Sequence, residues 1–260
     1  MTYAQALVLG FVQGLTEFLP ISSSGHLILV PHLFGWPDQG LTFDAVMHLG
    51  TVAALLAYFR TELLAMVSGA MSRRVLVLIV AATIPAGVIG IAFGRLVEAH
   101  LRAPIVIAAA TALWAIVMWI ADRRSRASLD QGEALERVTW SQALGVGVAQ
   151  ALALIPGTSR SGITITAGLM GGLDRATAAR FSFLLGIPIT AAAGALKGMQ
   201  VLKVGVPAAD VGPLVAGLVA AFVSGWFAVW FLVSYLKRRS LLPFVVYRLV
   251  LAAIIAAVAL

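Results

Sequence analysis

Apolar residues run along this chain in long blocks broken by short polar turns, and those blocks set the expected elements. Ten apolar segments follow, at roughly 3–19, 25–36, 41–59, 75–96, 103–121, 140–155, 162–172, 176–196, 211–236 and 240–260. Val75–Gly94 and Ala103–Ala121 carry no charge and are about long enough to cross a bilayer as helices. Val211–Leu236 is longer still, and Ser240–Leu260 holds a single charge, Arg248. Segments 25–36 and 162–172 are too short to span. Segments 3–19 and 140–155 are marginal, and each is followed by a Ser/Gly-rich knot, "PISSSGH" at 20–26 and "PGTSRSG" at 156–162. A short apolar piece, a polar break and a second short piece predict a re-entrant hairpin. The pattern therefore predicts an all-α integral membrane protein of six transmembrane helices plus two re-entrant helical hairpins.

The knots belong to an internal repeat. Under a shift of 137 positions, Gln5, Ala6, Leu7, Gly10, Gln13, Leu15, Ser22, Ser24 and Gly25 meet identical residues at Gln142, Ala143, Leu144, Gly147, Gln150, Leu152, Ser159, Ser161 and Gly162. Several matches are polar, so shared greasiness does not explain them. Each half, about 1–125 and 138–260, would hold one hairpin and three crossings. An odd number of crossings inverts the second half relative to the first, giving an inverted-topology repeat within a single membrane domain.

Composition agrees. Of 260 residues, 61% are hydrophobic and 11% charged, whereas soluble domains are nearer a quarter charged. The formal net charge of +7 could suggest nucleic acid in a soluble protein; here its distribution fits membrane orientation, and no nucleic-acid partner is expected. One side of the membrane would carry Arg60, Arg73, Arg74, Arg123, Arg124, Arg126, Arg137, Arg175, Arg180, Lys237, Arg238 and Arg239, the other Arg95, Arg102, Lys197 and Lys203. The richer side is then cytoplasmic, both termini face outward, and the two hairpin tips meet near mid-membrane. The chain has no cysteine, which excludes disulfides and thiol chemistry. The first residues lack the basic region and cleavage site of a secretory signal and read as mature structure.

Ionisable groups inside apolar segments are costly unless paired or hydrated. Those here are Glu17, His26, His32, Asp44, His48, Arg160 and Arg248. Gln13 and Glu17 share a helix face at i,i+4, and Gly10 and Gly14 have the spacing of close helix contact. The halves diverge in a complementary way: Leu154 stands opposite Glu17, and Ser23 opposite Arg160. One half keeps carboxylate and imidazole; the other supplies the guanidinium. Ser and Gly ahead of a helix expose N–H groups to an anion. Ser22, Ser24, Gly157, Ser159, Ser161 and Thr164, with Gln13, are therefore candidate substrate-binding residues, and Arg160 could grip phosphate oxygens bidentately. Carboxylate, imidazole, serine and arginine are the parts phosphoryl transfer needs, with a divalent metal at Glu17 as an option. Blander readings exist: an N-capped turn with a buried histidine, an arginine snorkelling to an interface, and Glu17 as a structural partner of Arg160. Asp44 and His48 read as a local hydrogen-bonded pair, His32 and His100 as packing and loop residues, and Arg248 as a brace.

These residues resemble a known family, the bacterial undecaprenyl-diphosphate phosphatases linked to bacitracin resistance. "QGLTEFLPISSSGH" and "PGTSRSGIT" look like its two signatures, and "FSFLLGIP" and "PFVVYR" are similar to further family segments. The resemblance covers essentially the whole chain. It implies the six-helix, two-hairpin fold and hydrolysis of undecaprenyl diphosphate to undecaprenyl phosphate at the outer face of the bacterial cytoplasmic membrane, recycling the carrier for wall polymers. By matching positions it implies Glu17, Ser23, His26, Arg160, Ser159 and Thr164 as site residues, and assistance by Mg2+ or Ca2+. Gln13 departs from the carboxylate of many relatives, which shifts metal coordination onto Glu17 and the substrate's own phosphates. The expected mechanism has Ser23 attacking the terminal phosphorus or positioning a water, His26 as base and leaving-group acid, and Glu17 holding a cation or orienting His26. The rival expectation is a polyprenyl-phosphate transporter built on the same inverted-repeat site. Membrane lipid is an expected partner in either case, and a homodimer is left open.

Overall fold

The computed structural model describes residues 1–37, 39–101, 103–125 and 135–259; Arg102 and Arg126, used in the charge split, lie outside them. Regular structure among the described residues is helical throughout. In chain order the helices are α1 (Tyr3–Phe18), α2 (Ser23–Phe34), α3 (Gly40–Tyr58), α4 (Arg60–Ser68), α5 (Arg73–His100) and α6 (Pro104–Arg124). They continue as α7 (Trp140–Ala151), α8 (Arg160–Met170), α9 (Arg175–Val204), α10 (Ala208–Leu236) and α11 (Leu242–Ala259), with a 3-10 turn at Leu152–Leu154 after α7.

Local chemistry accounts for the boundaries. Thr2 and Gln5 form a reciprocal capping box at the start of α1, and Thr139 and Gln142 form the same box at the start of α7. Gly35 takes up the left-handed conformation that ends α2, at φ 63°. Four helical segments are long and apolar enough to cross a membrane: Arg73–Gly94, Pro104–Arg124, Arg175–Leu196 and Ala208–Leu236. The pair α3–α4, bent by 66°, would add a fifth, and Leu242–Val258 is a shorter apolar helix. This is a multi-pass membrane protein, with four or five spans by length and apolarity alone. Large apolar side chains point away from the protein in the manner of lipid-facing surface, among them Ile91 at 82% exposure.

Small residues set the closest helix contacts. Gly10 of α1 lies against the Gly217 backbone of α10, and Gly14 against Ala221 and Ser224; a Cβ at either glycine would overlap its neighbours. The expected close-contact face of α1 is thus used, against α10. Gly147 meets Ala82 of α5 in the same manner, so α7 docks on α5. Helix α3 packs on α9 and α10, and α6 on α11. An aromatic core joins these layers: Phe18, Phe59, Phe181 and Phe183 are fully buried, with Phe18 and Phe183 edge to face at 5.7 Å.

Candidate active site

Both Ser/Gly knots are turns that restart a helix. Ser22 precedes α2 with φ 75° and Ser159 precedes α8 with φ 69°, and they are the positive-φ non-glycine residues among those described. They stand 137 positions apart, at the shift of the sequence repeat. Such backbone is disfavoured for a residue with a Cβ by roughly 1–3 kcal/mol and concentrates where a ligand must be met. In each turn the cap hydroxyl pairs with the hydroxyl two residues on: Ser22 with Ser24 and Ser159 with Ser161, both at 3.3 Å.

The turns are laced together. Gly157 N–H donates to Ser24 Oγ at 3.4 Å, and Ser161 Oγ donates to the Leu19 carbonyl at 3.2 Å. Gly157, at φ 90°, lies against the Ile107 carbonyl, where a side chain would not fit. Behind them lies Arg248, 1% exposed. Its guanidinium donates to Pro20 O of the first turn, Gly157 O and Thr158 O of the second, and Thr111 O of α6, at 3.1–3.4 Å. The expected brace is therefore found, and it joins both turns at once.

Glu17 is the centre of the polar cluster. Its Oε2 accepts from Gln13 Nε2 at 3.1 Å and from Ser23 Oγ at 3.0 Å, while Oε1 accepts from Arg160 Nη2 at 3.2 Å. Both members of the ion pair are nearly buried, Arg160 at 12% and Glu17 at 8% side-chain exposure. Arg160 Nη1 also reaches the Ser182 carbonyl of α9 at 3.4 Å, and the guanidinium lies over Gly186, where a Cβ would overlap it. The carboxylate from one half and the guanidinium from the other thus meet, as their complementary placement in the sequence anticipates.

His26 departs from the expected arrangement. Its Nδ1 is 2.7 Å from the Ser22 carbonyl and its Nε2 2.6 Å from the Tyr247 hydroxyl. Among the described residues, no hydrogen bond joins His26 to Ser23 or Glu17. The imidazole folds back over its own turn, leaving Glu17 as the acceptor at Ser23. Neither the Ser23–His26 pairing nor an orienting role of Glu17 toward His26 is formed. Thr164 is fully buried, its hydroxyl against Arg160 O at 2.7 Å and Ser182 Oγ at 2.6 Å. It secures α8 to α9, and Ser161 is likewise taken up by Leu19. Ser159 caps α8 through Gly162 N–H at 3.2 Å.

Outside the cluster, His48 bonds the Asp44 main-chain carbonyl at 2.6 Å, a local bond to the backbone instead of the carboxylate, and His100 bonds Leu96 O. Sequence reasoning missed Tyr247, Ser182 and Gly186. Tyr247 had a visible signal, a phenol beside the arginine of an otherwise apolar helix, and all three lie in the family-like segments "PFVVYR" and "FSFLLGIP", which gave them no individual role.

Hard oxygen donors for a divalent cation are few. Among the described residues no three His, Cys, Asp or Glu side chains gather into a metal cage. Glu17 offers a carboxylate, and Gln13 Oε1 is buried without a hydrogen-bond partner. One carboxylate and one amide oxygen are too few for a closed cage and fit an ion that keeps several waters, such as Mg2+.

Fold and site together define a class: a polytopic α-helical membrane protein with an arginine–carboxylate cluster where two strained Ser/Gly turns meet. The chain belongs to the bacitracin resistance protein BacA family, whose family model matches residues 6–254. It is 46% identical over 265 residues to a protein of Stutzerimonas stutzeri (strain A1501) named undecaprenyl-diphosphatase 2, covering 98% of this chain and 97% of that one. Proteins named undecaprenyl-diphosphatase are 46% identical in Thioalkalivibrio sulfidiphilus, covering 97% of each chain, and 45% identical in Moorella thermoacetica, covering 99% of this chain and 98% of the relative.

Proposed function

We propose that this protein hydrolyses the terminal phosphate of undecaprenyl diphosphate, releasing undecaprenyl phosphate and inorganic phosphate. One observation carries the reading: a single carboxylate, Glu17, bonds at once to the Ser23 hydroxyl of one turn and to Arg160 of the other. In this reading, nucleophile, base and phosphate clamp share one cluster. Ser23 Oγ attacks the terminal phosphorus and its proton passes to Glu17, which replaces His26 as the base for this step. The bond to the bridging oxygen breaks, and protonated His26 gives its proton to the departing lipid phosphate. Water then cleaves the phosphoserine, its hydroxide going to phosphorus and its proton to His26, while Glu17 returns a proton to Ser23. Arg160 turns from Glu17 to the phosphate oxygens, and the N–H groups that open α2 and α8 add positive potential. Glu17 and Gln13 would hold an Mg2+ or Ca2+ ion, which supplies charge neutralisation for the diphosphate when bound.

The isoprenoid tail runs along a narrow apolar groove of about 130 Å³ between α2, α6 and α11, lined by Gly25, Ile28, His32, Ile107 and Ile255. Gly25, Ile28 and His32 form a stripe on α2 at i, i+3 and i+7, spanning about 10 Å. The six-span reading takes α3–α4, α5, α6, α9, α10 and α11 as crossings, with α1–α2 and α7–α8 as re-entrant hairpins inverted relative to each other. The repeated capping boxes and the two positive-φ serines, each pair 137 residues apart, support it. Both termini and the site mouth then face outward from the bacterial cytoplasmic membrane. The same repeat favours the second reading, a polyprenyl-phosphate transporter. Purified protein in detergent, given undecaprenyl diphosphate with Mg2+, Ca2+ or EDTA, decides between them. Metal-assisted phosphate release is expected; binding of the lipid phosphate without release would favour the transporter.

A further inference from the structure

His26 lies on the turn that carries Ser23, yet its partner at Nε2 comes from 221 residues away. A main-chain carbonyl only accepts hydrogen bonds, so the Ser22 carbonyl at 2.7 Å fixes the proton on Nδ1. The neutral ring then presents a lone pair at Nε2, and the Tyr247 hydroxyl at 2.6 Å donates to it. The two rings are nearly parallel, with an interplanar angle of 6°. Tyr247 is itself held in place, because the next residue, Arg248, is buried and bonded to carbonyls of both turns. Among the described residues, no carboxylate bonds to either nitrogen of His26.

A hydroxyl has a property that neither a carbonyl nor an amide N–H shares: it both donates and accepts. It can donate to a bare Nε2 and accept from a protonated one by rotating its hydrogen, without moving the ring. We propose that Tyr247 is the positioning residue for His26 and the relay for its proton, its hydroxyl keeping the imidazole in one orientation while Nε2 gains and loses the proton of the reaction. This rests on the hydrolase reading given above. In that cycle, Tyr247 gives its hydroxyl proton to the lipid-phosphate oxygen as the P–O bond breaks and takes up the proton from Nε2, so that it turns from acceptor to donor toward the ring. The proton from water passes to Tyr247 Oη as the hydroxyl returns its own to Nε2, and Tyr247 accepts again. Nδ1–H stays on the Ser22 carbonyl throughout, so only Nε2 takes part.

Tyr247→Phe keeps the ring and removes the hydroxyl, and two readouts test the proposal on purified protein in detergent. With undecaprenyl diphosphate, kcat is expected to fall about tenfold with KM within twofold, the pattern of a lost positioning contact. With 15N-labelled histidine and the ring neutral, the wild type is expected to show His26, assigned by its loss in His26→Gln, with a protonated Nδ1 and a bare Nε2. Tyr247→Phe should keep that tautomer but move the Nε2 resonance downfield, because the bare nitrogen loses its hydrogen bond; an unmoved Nε2 would show that the hydroxyl does not bond it. An unchanged kcat, a loss confined to KM, or a wild-type His26 protonated at Nε2 would each overturn the proposal. Absence of phosphate release by the wild type would instead defeat the hydrolase reading, while the nitrogen signature still tests the contact.

Discussion

At the scale of single residues, the site depends on what surrounds Glu17 and Arg160. A buried pair of this kind gains little net stability, because the desolvation of both charges offsets their attraction. In the proposed reaction, a phosphate takes over Arg160 and frees the carboxylate at the moment of attack. Gly186 makes room for this, since a Cβ there would overlap the guanidinium, the movable end of a flexible side chain. Gly186→Ala should therefore displace Arg160 and lower kcat/KM about tenfold, with the melting temperature in detergent nearly unchanged; undiminished turnover would show that the observed guanidinium position is unimportant. The carboxylate and guanidinium were legible in the sequence because intramembrane charges are rare and the repeat set them opposite each other. The partner of His26 was not legible: spacing puts Ser23 and His26 on one side of α2, but which neighbour captures a ring nitrogen depends on tertiary packing from α11.

At the scale of elements, hydropathy located nearly every helix, since a lipid-facing helix must be apolar along its length. The extra element α4 was hidden because Arg60 and Glu62 dilute the apolar run just past the bend at Phe59. The short helices α2 and α8 each follow a serine held in a disfavoured backbone conformation, and the proposed site uses the N-termini that this exposes. Helix α2 also forms one wall of the apolar groove, where Ile28 is 47% exposed. Ile28→Trp should fill this channel without touching the polar cluster. Measured as initial rates, KM is expected to rise about tenfold for undecaprenyl diphosphate and for farnesyl diphosphate alike. An unchanged KM for both lipids would place the tail elsewhere.

At the scale of the whole molecule, the fold brings together polar groups that neither half of the chain holds alone. The first contributes Gln13, Glu17, Ser23 and His26, the second Arg160, and Arg248 of the last helix binds carbonyls of both turns. The absence of cysteine in the chain offers a direct test of the orientation. Ala208 and Lys237 flank the ends of α10 and are both exposed. In intact cells, a membrane-impermeant maleimide is expected to label Ala208→Cys, whereas Lys237→Cys reacts only after lysis; the reverse pattern would invert the topology. The central claim, that both turns serve one phosphoryl-transfer site, is tested most directly by phosphate release from undecaprenyl diphosphate by Ser23→Ala, Glu17→Gln and Arg160→Ala proteins matched to the wild type in fold and detergent. The account predicts losses of about 100-fold or more for each. Near-normal release by either Ser23→Ala or Arg160→Ala would contradict it.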